Sequence, residues 1–189
     1  VWFYRERIVG LVQDVWRESR AQVFIGKVMV AFLPAAVVGL LFHHWIVRVL
    51  FGPFPVAAGL AAGGVLLLAI DRPTRPAART TTIDDVTWSQ AFLVGCAQVA
   101  SLWPGVSRSG ATIIGALVTG LSRSAALEFS FFLAIPTLGA ASVFALWEAR
   151  HDLVAVDVPI FAVGLLTSFV VSLAVIAVLL RYVRDHDLR

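Results

Sequence analysis

Residues 98–112 read QVASLWPGVSRSGAT and place one arginine, Arg108, among hydroxyls and glycines within the long apolar segment 89–121. A charged side chain at the centre of a bilayer costs at least about 2.5 kcal/mol even on insertion scales, so such a charge indicates a functional site. The Pro104-Gly105 pair divides the segment into two pieces, each about 22 Å long as a helix and too short for a hydrocarbon core of about 30 Å. The stretch therefore predicts a re-entrant helical hairpin over residues 89–121, and two tilted spans stay open as the alternative.

The composition around this stretch is that of an integral membrane protein. Of the 189 residues, 59% are hydrophobic and 14% charged, and the mean hydropathy is +0.88, whereas about a quarter of the residues in a soluble domain are charged. The apolar residues form long runs instead of alternating with polar ones, which favours helices over a barrel. We predict an all-α, polytopic transmembrane helix bundle that forms a single membrane domain over residues 1–189. Nothing in the placement of the arginines supports binding to nucleic acid.

The rest of the chain predicts an interfacial helix and four further spans. Arginines alternate with aliphatic residues over 1–22, which is typical of an amphipathic helix at the membrane interface. A short turn is expected at His43, His44 and Arg48, and a polar connector at residues 71–88. The predicted spans are long and apolar enough to cross the membrane, and they cover about residues 23–42, 54–70, 125–147 and 159–180.

The placement of lysine and arginine predicts an orientation. Residues 1–27 carry five of these residues, 71–88 carry three and 181–189 carry three, whereas 43–53 and 148–158 carry one each. Cytoplasmic loops are enriched in lysine and arginine. We therefore expect both chain ends and the 71–88 connector on the cytoplasmic side.

Neither the cysteine nor the adjacent histidines predict a metal site. Cys96 is the single cysteine of the chain, so a disulfide framework and a thiolate cluster are excluded, and we expect it to pack as a small apolar side chain. His43 and His44 would point about 100° apart on a helix, and no carboxylate accompanies them.

The polar break has the composition of a phosphate cradle. A helix that begins near residues 107–109 would present free amide hydrogens and the positive end of its dipole to an anion. Glycines allow close approach of the backbone, hydroxyls donate hydrogen bonds, and one of the two serines can cap the helix. The guanidinium of Arg108 adds a planar set of donors suited to phosphate oxygens. The residues expected to form the cradle are Gly105, Ser107, Arg108, Ser109, Gly110 and Thr112.

The tripeptide Ser-Arg-Ser recurs at residues 122–124 without the preceding Pro-Gly. It stands where the next span begins, so helix capping and anchoring at the interface explain it. For Glu128, one turn further, we expect pairing with an arginine or capping of amides, and a direct ligand role is the alternative.

Three segments resemble the second signature region of the undecaprenyl-diphosphate phosphatases of the bacitracin-resistance type: GCAQ at 95–98, LWPGVSRSGAT at 102–112 and GLSRSAALEFSFFLAIP at 120–136. The resemblance is specific over residues 95–136 and extends along the whole chain. It implies a multi-pass enzyme of the bacterial plasma membrane that removes the terminal phosphate of undecaprenyl diphosphate and regenerates the lipid carrier for peptidoglycan synthesis. It also implies two inverted repeats, each with a re-entrant hairpin.

The resemblance implies roles for the residues of the break. Arg108, Ser107 and Ser109 are the expected catalytic residues, and Gly105, Gly110, Thr112 and Gln98 are expected to bind substrate. The motif holds no histidine or carboxylate to activate a serine, so a binding role is favoured for both serines over that of nucleophile.

The resemblance also implies parts that this chain does not match. The family's first repeat carries a glutamate-rich motif and a Ser-Ser-x-Gly-His stretch, which supply ligands for a divalent metal, Mg²⁺ or Ca²⁺, and a histidine for acid-base chemistry. We expect this chain to be a fragment with half of a composite site, with the metal ligands and the closing helix outside it. The implied partners are the lipid substrate and the membrane, and a homodimer is left open.

Two other functions stay open on the sequence. Broken helices around an anion site near the midplane also build transporters, so a lipid-phosphate transporter or flippase is one alternative. An inactive fragment is the other.

Overall fold

The computed structural model describes residue 10 and residues 19–70, 78–150 and 157–185. Between residues 19 and 185 the described parts form six α-helices and one short 3-10 helix, Val99–Leu102. They contain no β-strand and a single isolated bridge between Thr80 and Leu121. The predicted all-α class is confirmed for this part of the chain. The helices are α1 (Ser19–Leu50), α2 (Pro53–Ile70), α3 (Trp88–Gln98), α4 (Arg108–Val118), α5 (Arg123–Ala149) and α6 (Asp157–Asp185).

Three helices of the described chain are long and apolar enough to cross a membrane. They are α1 with 32 residues, α5 with 27, and an 18-residue stretch of α6, Val158–Val175. Shorter apolar helices cover Pro53–Leu66 and Arg108–Val118. These helices are those of a membrane protein, as predicted. The interfacial helix predicted over residues 1–22 lies outside the described residues, apart from Gly10 and the first turn of α1.

Helix α1 continues through the segment where a turn was predicted. His43, His44 and Arg48 all lie within the helix, which ends at Leu50. The helix contains Pro34 and ends just before the Gly52-Pro53 pair. The prediction of a turn at the histidines is wrong, because polar side chains alone do not interrupt the backbone hydrogen bonds of a helix.

Helices α3 and α4 form a hairpin around the polar break. Each has 11 residues, which corresponds to about 16 Å. Glycine allows their close packing, since a Cβ at Gly115 of α4 would lie 2.5 Å from the Cβ of Ala97. On its other side α3 packs against α1, where a Cβ at Gly95 would overlap the carbonyl of Ala31. Whether this hairpin is re-entrant stays a prediction.

The buried face of α3 contains Ala91, Val94, Gly95 and Gln98. Cys96 lies away from that face and is exposed. The structure thus places Cys96, which we expected to pack as a small apolar side chain, on the exposed side of α3.

The described part of the polar connector, residues 78–87, is packed against the helices. Thr80 is buried, its amide donates to Gly120 and its carbonyl accepts from Ser122. At the end of the connector, Thr87 and Gln90 form a capping box, in which each side chain binds the backbone amide of the other. This segment therefore determines where α3 begins. The composition of the connector had not indicated that starting point.

The chain divides into two compact units, Val1–Ala141 and Ser142–Arg189. The core lies in the first unit, where the ring of Phe24 on α1 makes edge-to-face contacts with Phe129 and Phe132, at centroid distances of 6.4 and 5.2 Å. In the second unit, Arg150 stacks on Trp147 at 4.4 Å, a basic and aromatic pair typical of a membrane interface. The buried core residues are Phe24, Val28, Ala31, Ile83, Val86, Ala91, Val94, Ala116, Leu121, Ala125, Ala126, Phe129, Phe132 and Leu133.

Candidate functional site

The Pro-Gly break is held against the beginning of α2. Gly105 has φ +95°, a conformation that favours glycine, and a Cβ there would overlap a backbone carbonyl of α2. From the other side, a Cβ at Gly59 would approach the carbonyl oxygen of Pro104 to 2.5 Å. The indole nitrogen of Trp103 donates to the carbonyl of Pro55 at 2.8 Å. Close backbone packing and a hydrogen bond therefore fix the turn that precedes α4.

Helix α4 begins at Arg108 with Ser107 as its N-cap. The Ser107 hydroxyl accepts a hydrogen bond of 3.1 Å from the amide of Gly110, and its oxygen lies 3.2 Å from that of Ser109. Both serines are exposed. The predicted helix start and the predicted serine cap are confirmed. Helix geometry leaves the amides of Arg108 and Ser109 without carbonyl partners inside α4, so the two hydroxyls and these amides lie at the positive end of the helix dipole.

The guanidinium of Arg108 is tied to α5. Its Nη1 donates a hydrogen bond of 3.0 Å to the carbonyl oxygen of Ser130, and the side chain is partly buried. A guanidinium has five N–H donors in one plane. One contact therefore orients this plane while leaving donor capacity for an anion.

Thr112 faces the protein interior, whereas the two serines are exposed. It is 0% exposed, and its hydroxyl lies 3.1 Å from the carbonyl oxygens of both Arg108 and Ser109. The same hydroxyl is 2.7 Å from that of Ser130. In the described structure its contacts are with the protein, so it supports the first turn of α4 from within.

Gln98 also lies in the core. It is 0% exposed, and its amide nitrogen donates to the hydroxyl of Thr137 on α5 at 3.3 Å. The Thr137 hydroxyl in turn donates to the carbonyl of Leu133 at 2.7 Å, and Ser101 donates to the carbonyl of Gln98 at 2.7 Å. The structure thus uses Gln98 to join the end of α3 to α5.

Sequence reasoning had not assigned a role to Ser130 or Thr137. Both are hydroxyl residues in an otherwise apolar part of α5, and they stand seven residues apart on the side that also contains Leu133. Two hydroxyls at this helical spacing indicate a polar stripe on the buried face. Every buried side-chain nitrogen and oxygen in the described residues has a hydrogen-bond partner, so this polar network is preorganised.

The second Ser-Arg-Ser tripeptide has the capping role that was predicted for it, and its anchoring at the interface stays a prediction. Ser122 accepts a hydrogen bond of 3.2 Å from the amide of Ala125 and caps α5, which begins at Arg123. Its own amide donates to the carbonyl of Thr80 at 2.8 Å. The two tripeptides therefore cap successive helices. They differ in what precedes them, because only the first follows the Gly105 turn that packs against α2.

The described donors around Arg108 do not fit a divalent metal. They are hydroxyls, amides and a guanidinium, whereas Mg²⁺ and Ca²⁺ prefer carboxylate oxygens. Among the residues that the structure describes, no three histidine, cysteine, aspartate or glutamate side chains are grouped so as to hold a metal ion. The site as described is suited to an anion.

Comparisons with known proteins found relatives along the whole chain. The sequence profile of the family described as "Bacitracin resistance protein BacA" matches residues 1–189. The chain is 46% identical over 185 residues to an undecaprenyl-diphosphatase of Aromatoleum aromaticum, with 98% of the chain and 67% of the relative covered. It is 45% identical over 187 residues to an undecaprenyl-diphosphatase of Ectopseudomonas mendocina, with 99% and 67% covered. For one of Pseudomonas aeruginosa the identity is 44% over 187 residues, with the same coverage. The chain thus spans about two thirds of the length of these relatives.

Proposed function

The chain belongs to the bacitracin resistance protein BacA family, and on that premise we propose that it hydrolyses undecaprenyl diphosphate. In this reaction water adds to the terminal phosphorus and the bond to the bridging oxygen breaks. The products are inorganic phosphate and undecaprenyl phosphate, the lipid carrier for peptidoglycan synthesis. The names of the relatives support this activity, and within the described residues the anion cradle at the start of α4 is a place that fits the diphosphate.

The observation that carries the proposal is the arrangement at the beginning of α4. Ser107 and Ser109 expose hydroxyls 3.2 Å apart at a helix N-terminus, and Arg108 between them is oriented by its hydrogen bond to α5. A helix N-terminus with hydroxyl and guanidinium donors stabilises the negative charge of phosphate oxygens. Catalysis of phosphoryl transfer consists largely of positioning and of such charge stabilisation.

We assign roles on this basis. Arg108 stabilises the charge on the transferred phosphoryl group, and Ser107 and Ser109 donate hydrogen bonds to its oxygens. Gly105 lets the turn approach the backbone of α2, and Gly110 is buried in the first turn of α4, where its amide donates to Ser107. The segment Val106–Gly110 contains no histidine or carboxylate that could activate a serine, so we assign the serines to phosphate binding and not to the role of nucleophile.

The two buried residues predicted to bind substrate act from behind the cradle. Thr112 holds the first turn of α4, and Gln98 joins α3 to α5. Thr112 then contributes to binding indirectly, through the position of the residues that touch the phosphate, whereas Gln98 contributes to the packing of the hairpin against α5.

The family also implies a divalent metal, Mg²⁺ or Ca²⁺. We propose that its ligands and the acid-base group come from residues other than those around Arg108. A bound metal would supply charge stabilisation to the phosphate oxygens. Dialysis against a chelator, followed by phosphate-release assays with each metal added back, tests this proposal.

We further propose a multi-pass location in the bacterial plasma membrane. The exposed apolar side chains of α6 support contact with lipid. The charge pattern supports cytoplasmic chain ends and a cytoplasmic 71–88 connector, and the short helices α3 and α4 support a re-entrant hairpin.

The orientation is tested with single cysteines placed in the connector, by measuring their accessibility to an impermeant thiol reagent. Chemical cross-linking in vesicles tests whether the protein forms a homodimer.

The activity is tested with the natural protein in detergent, a short-chain isoprenyl diphosphate as substrate and phosphate release as the readout. Arg108→Ala should lower kcat/KM by about 100-fold or more, because it removes a charge that faces the transition state. Arg123→Ala is the matched control, since it removes the arginine of the second Ser-Arg-Ser tripeptide, and it should remain near wild type. Phosphate release by Arg108→Ala at the wild-type rate would refute the assignment. Movement of the lipid across vesicles without phosphate release would instead favour a flippase.

A further inference from the structure

We propose that Ser130 is a positioning residue for Arg108, and this inference rests on the proposed function because it concerns the same site. The carbonyl of Ser130 orients the guanidinium, and its hydroxyl fixes the register of α4 against α5. Ser130 therefore acts on the phosphate only through Arg108.

The first contact joins the backbone of α5 to the arginine side chain. Nη1 of Arg108 donates to the Ser130 carbonyl at 3.0 Å. A carbonyl oxygen has two lone pairs, so it can accept this bond in addition to one within its own helix. The bond occupies one of five guanidinium hydrogens and sets the direction of the plane, while the other donors remain for phosphate oxygens.

The second contact joins two hydroxyls inside the protein. The oxygens of Thr112 and Ser130 are 2.7 Å apart, and the residues are 0% and 4% exposed. Thr112 also faces two carbonyl oxygens, of Arg108 and Ser109, which can only accept hydrogen bonds. The Thr112 hydroxyl thus joins Ser130 to the first turn of α4, and either of the two hydroxyls can donate the bond between them.

Together the two contacts define one position of α4 along α5. Arg108 and Thr112 are four residues apart and lie on the same face of α4. A shift of α4 by less than one turn would break the bond to the carbonyl and the bond between the hydroxyls. Because both are partly or wholly buried, an unmade bond costs more there than it would in water. The pair of contacts thus holds the guanidinium in the orientation that the proposed site requires.

The variant Ser130→Ala removes the hydroxyl and keeps the carbonyl. We expect kcat/KM for a short-chain isoprenyl diphosphate to fall about tenfold, the effect of losing one buried hydrogen bond. The inhibition constant of methylenediphosphonate, a soluble probe of the anion cradle, should rise by a similar factor. Ser124→Ala is the matched control, because it removes an exposed hydroxyl from the same helix, and it should change neither quantity.

A double-mutant cycle tests whether the two hydroxyls act as one unit. Thr112→Val should produce a similar loss, and the combination with Ser130→Ala should lose little more, since either change breaks the same bond. Ser130→Cys keeps the size and a weak donor, and it should fall between wild type and Ser130→Ala. This variant also serves as the test if Ser130→Ala does not fold.

A lower Tm for Ser130→Ala with unchanged kcat/KM and unchanged inhibition constant, both per folded protein, would overturn the inference, because it would show a packing role alone. Additive losses in the cycle would overturn it as well. Failure of the proposed function is distinguishable, since in that case Arg108→Ala itself retains activity.

Discussion

The indole nitrogen of Trp103 donates a hydrogen bond of 2.8 Å to the carbonyl oxygen of Pro55, and this bond ties the turn before α4 to the first turn of α2. A carbonyl in the first turn of α2 accepts an indole donor from a turn 48 residues further along the chain. The cradle is thus positioned by two neighbours, α2 at the turn and α5 at Arg108.

Trp103→Phe removes the indole donor and keeps an aromatic ring. We expect a loss of about 1 kcal/mol in stability, the net worth of a typical hydrogen bond, together with a rise in KM as the turn loosens. Thermal unfolding in detergent and substrate titrations measure the two effects. Trp45→Phe, at an exposed tryptophan of α1, is the control and should leave both unchanged. An unaltered Tm and KM for Trp103→Phe would show that the bond does not hold the turn.

Gly105→Ala introduces a side chain where φ is +95° and where a carbonyl of α2 leaves no space. The strain of a non-glycine residue in such a region costs about 1–3 kcal/mol, and the displaced turn should abolish most phosphate release. Gly139→Ala is the control, because a Cβ there meets nothing within 4 Å, and it should be neutral or slightly stabilising. Equal activity of the two variants would contradict the proposed packing of the turn.

Ser107→Ala and Ser122→Ala remove the caps of α4 and α5. Each should cost about 1 kcal/mol of stability, but only Ser107→Ala should also lower phosphate release well beyond its effect on folding. Ser107→Gly separates the two roles, since glycine at an N-cap costs only a few tenths of a kcal/mol. It should restore Tm without restoring activity. Recovery of activity in Ser107→Gly would show that the hydroxyl serves the helix and not the phosphate.

Gln98→Met replaces a buried amide by an apolar side chain of similar length. Because the described partner of the Gln98 side chain is Thr137, we expect a lower Tm and an unchanged KM. The measurement compares substrate titrations at a temperature where both proteins are folded. A rise in KM at constant Tm would instead place Gln98 in direct contact with substrate, as the family resemblance implies.

Some features of the fold could be predicted from the local sequence. Others were not predicted although the local sequence indicates them. The Pro104-Gly105 break and the serine cap were predicted because they depend on the backbone preferences of a few neighbouring residues. The capping box of Thr87 and Gln90 has an equally local signal but was not recognised. The turn predicted at His43 was wrong because polarity was given more weight than the glycine and proline that follow.

The sequence by itself determined that this is a helical membrane protein and that a helix begins at Arg108 behind a capping serine. It also determined the family, through the motif around that arginine. Only the tertiary structure decided that Thr112 and Gln98 face the core and that the carbonyl of Ser130 holds Arg108. The physical reason is that helical periodicity shows which residues share a face, but the face that becomes buried depends on the helix that packs against it.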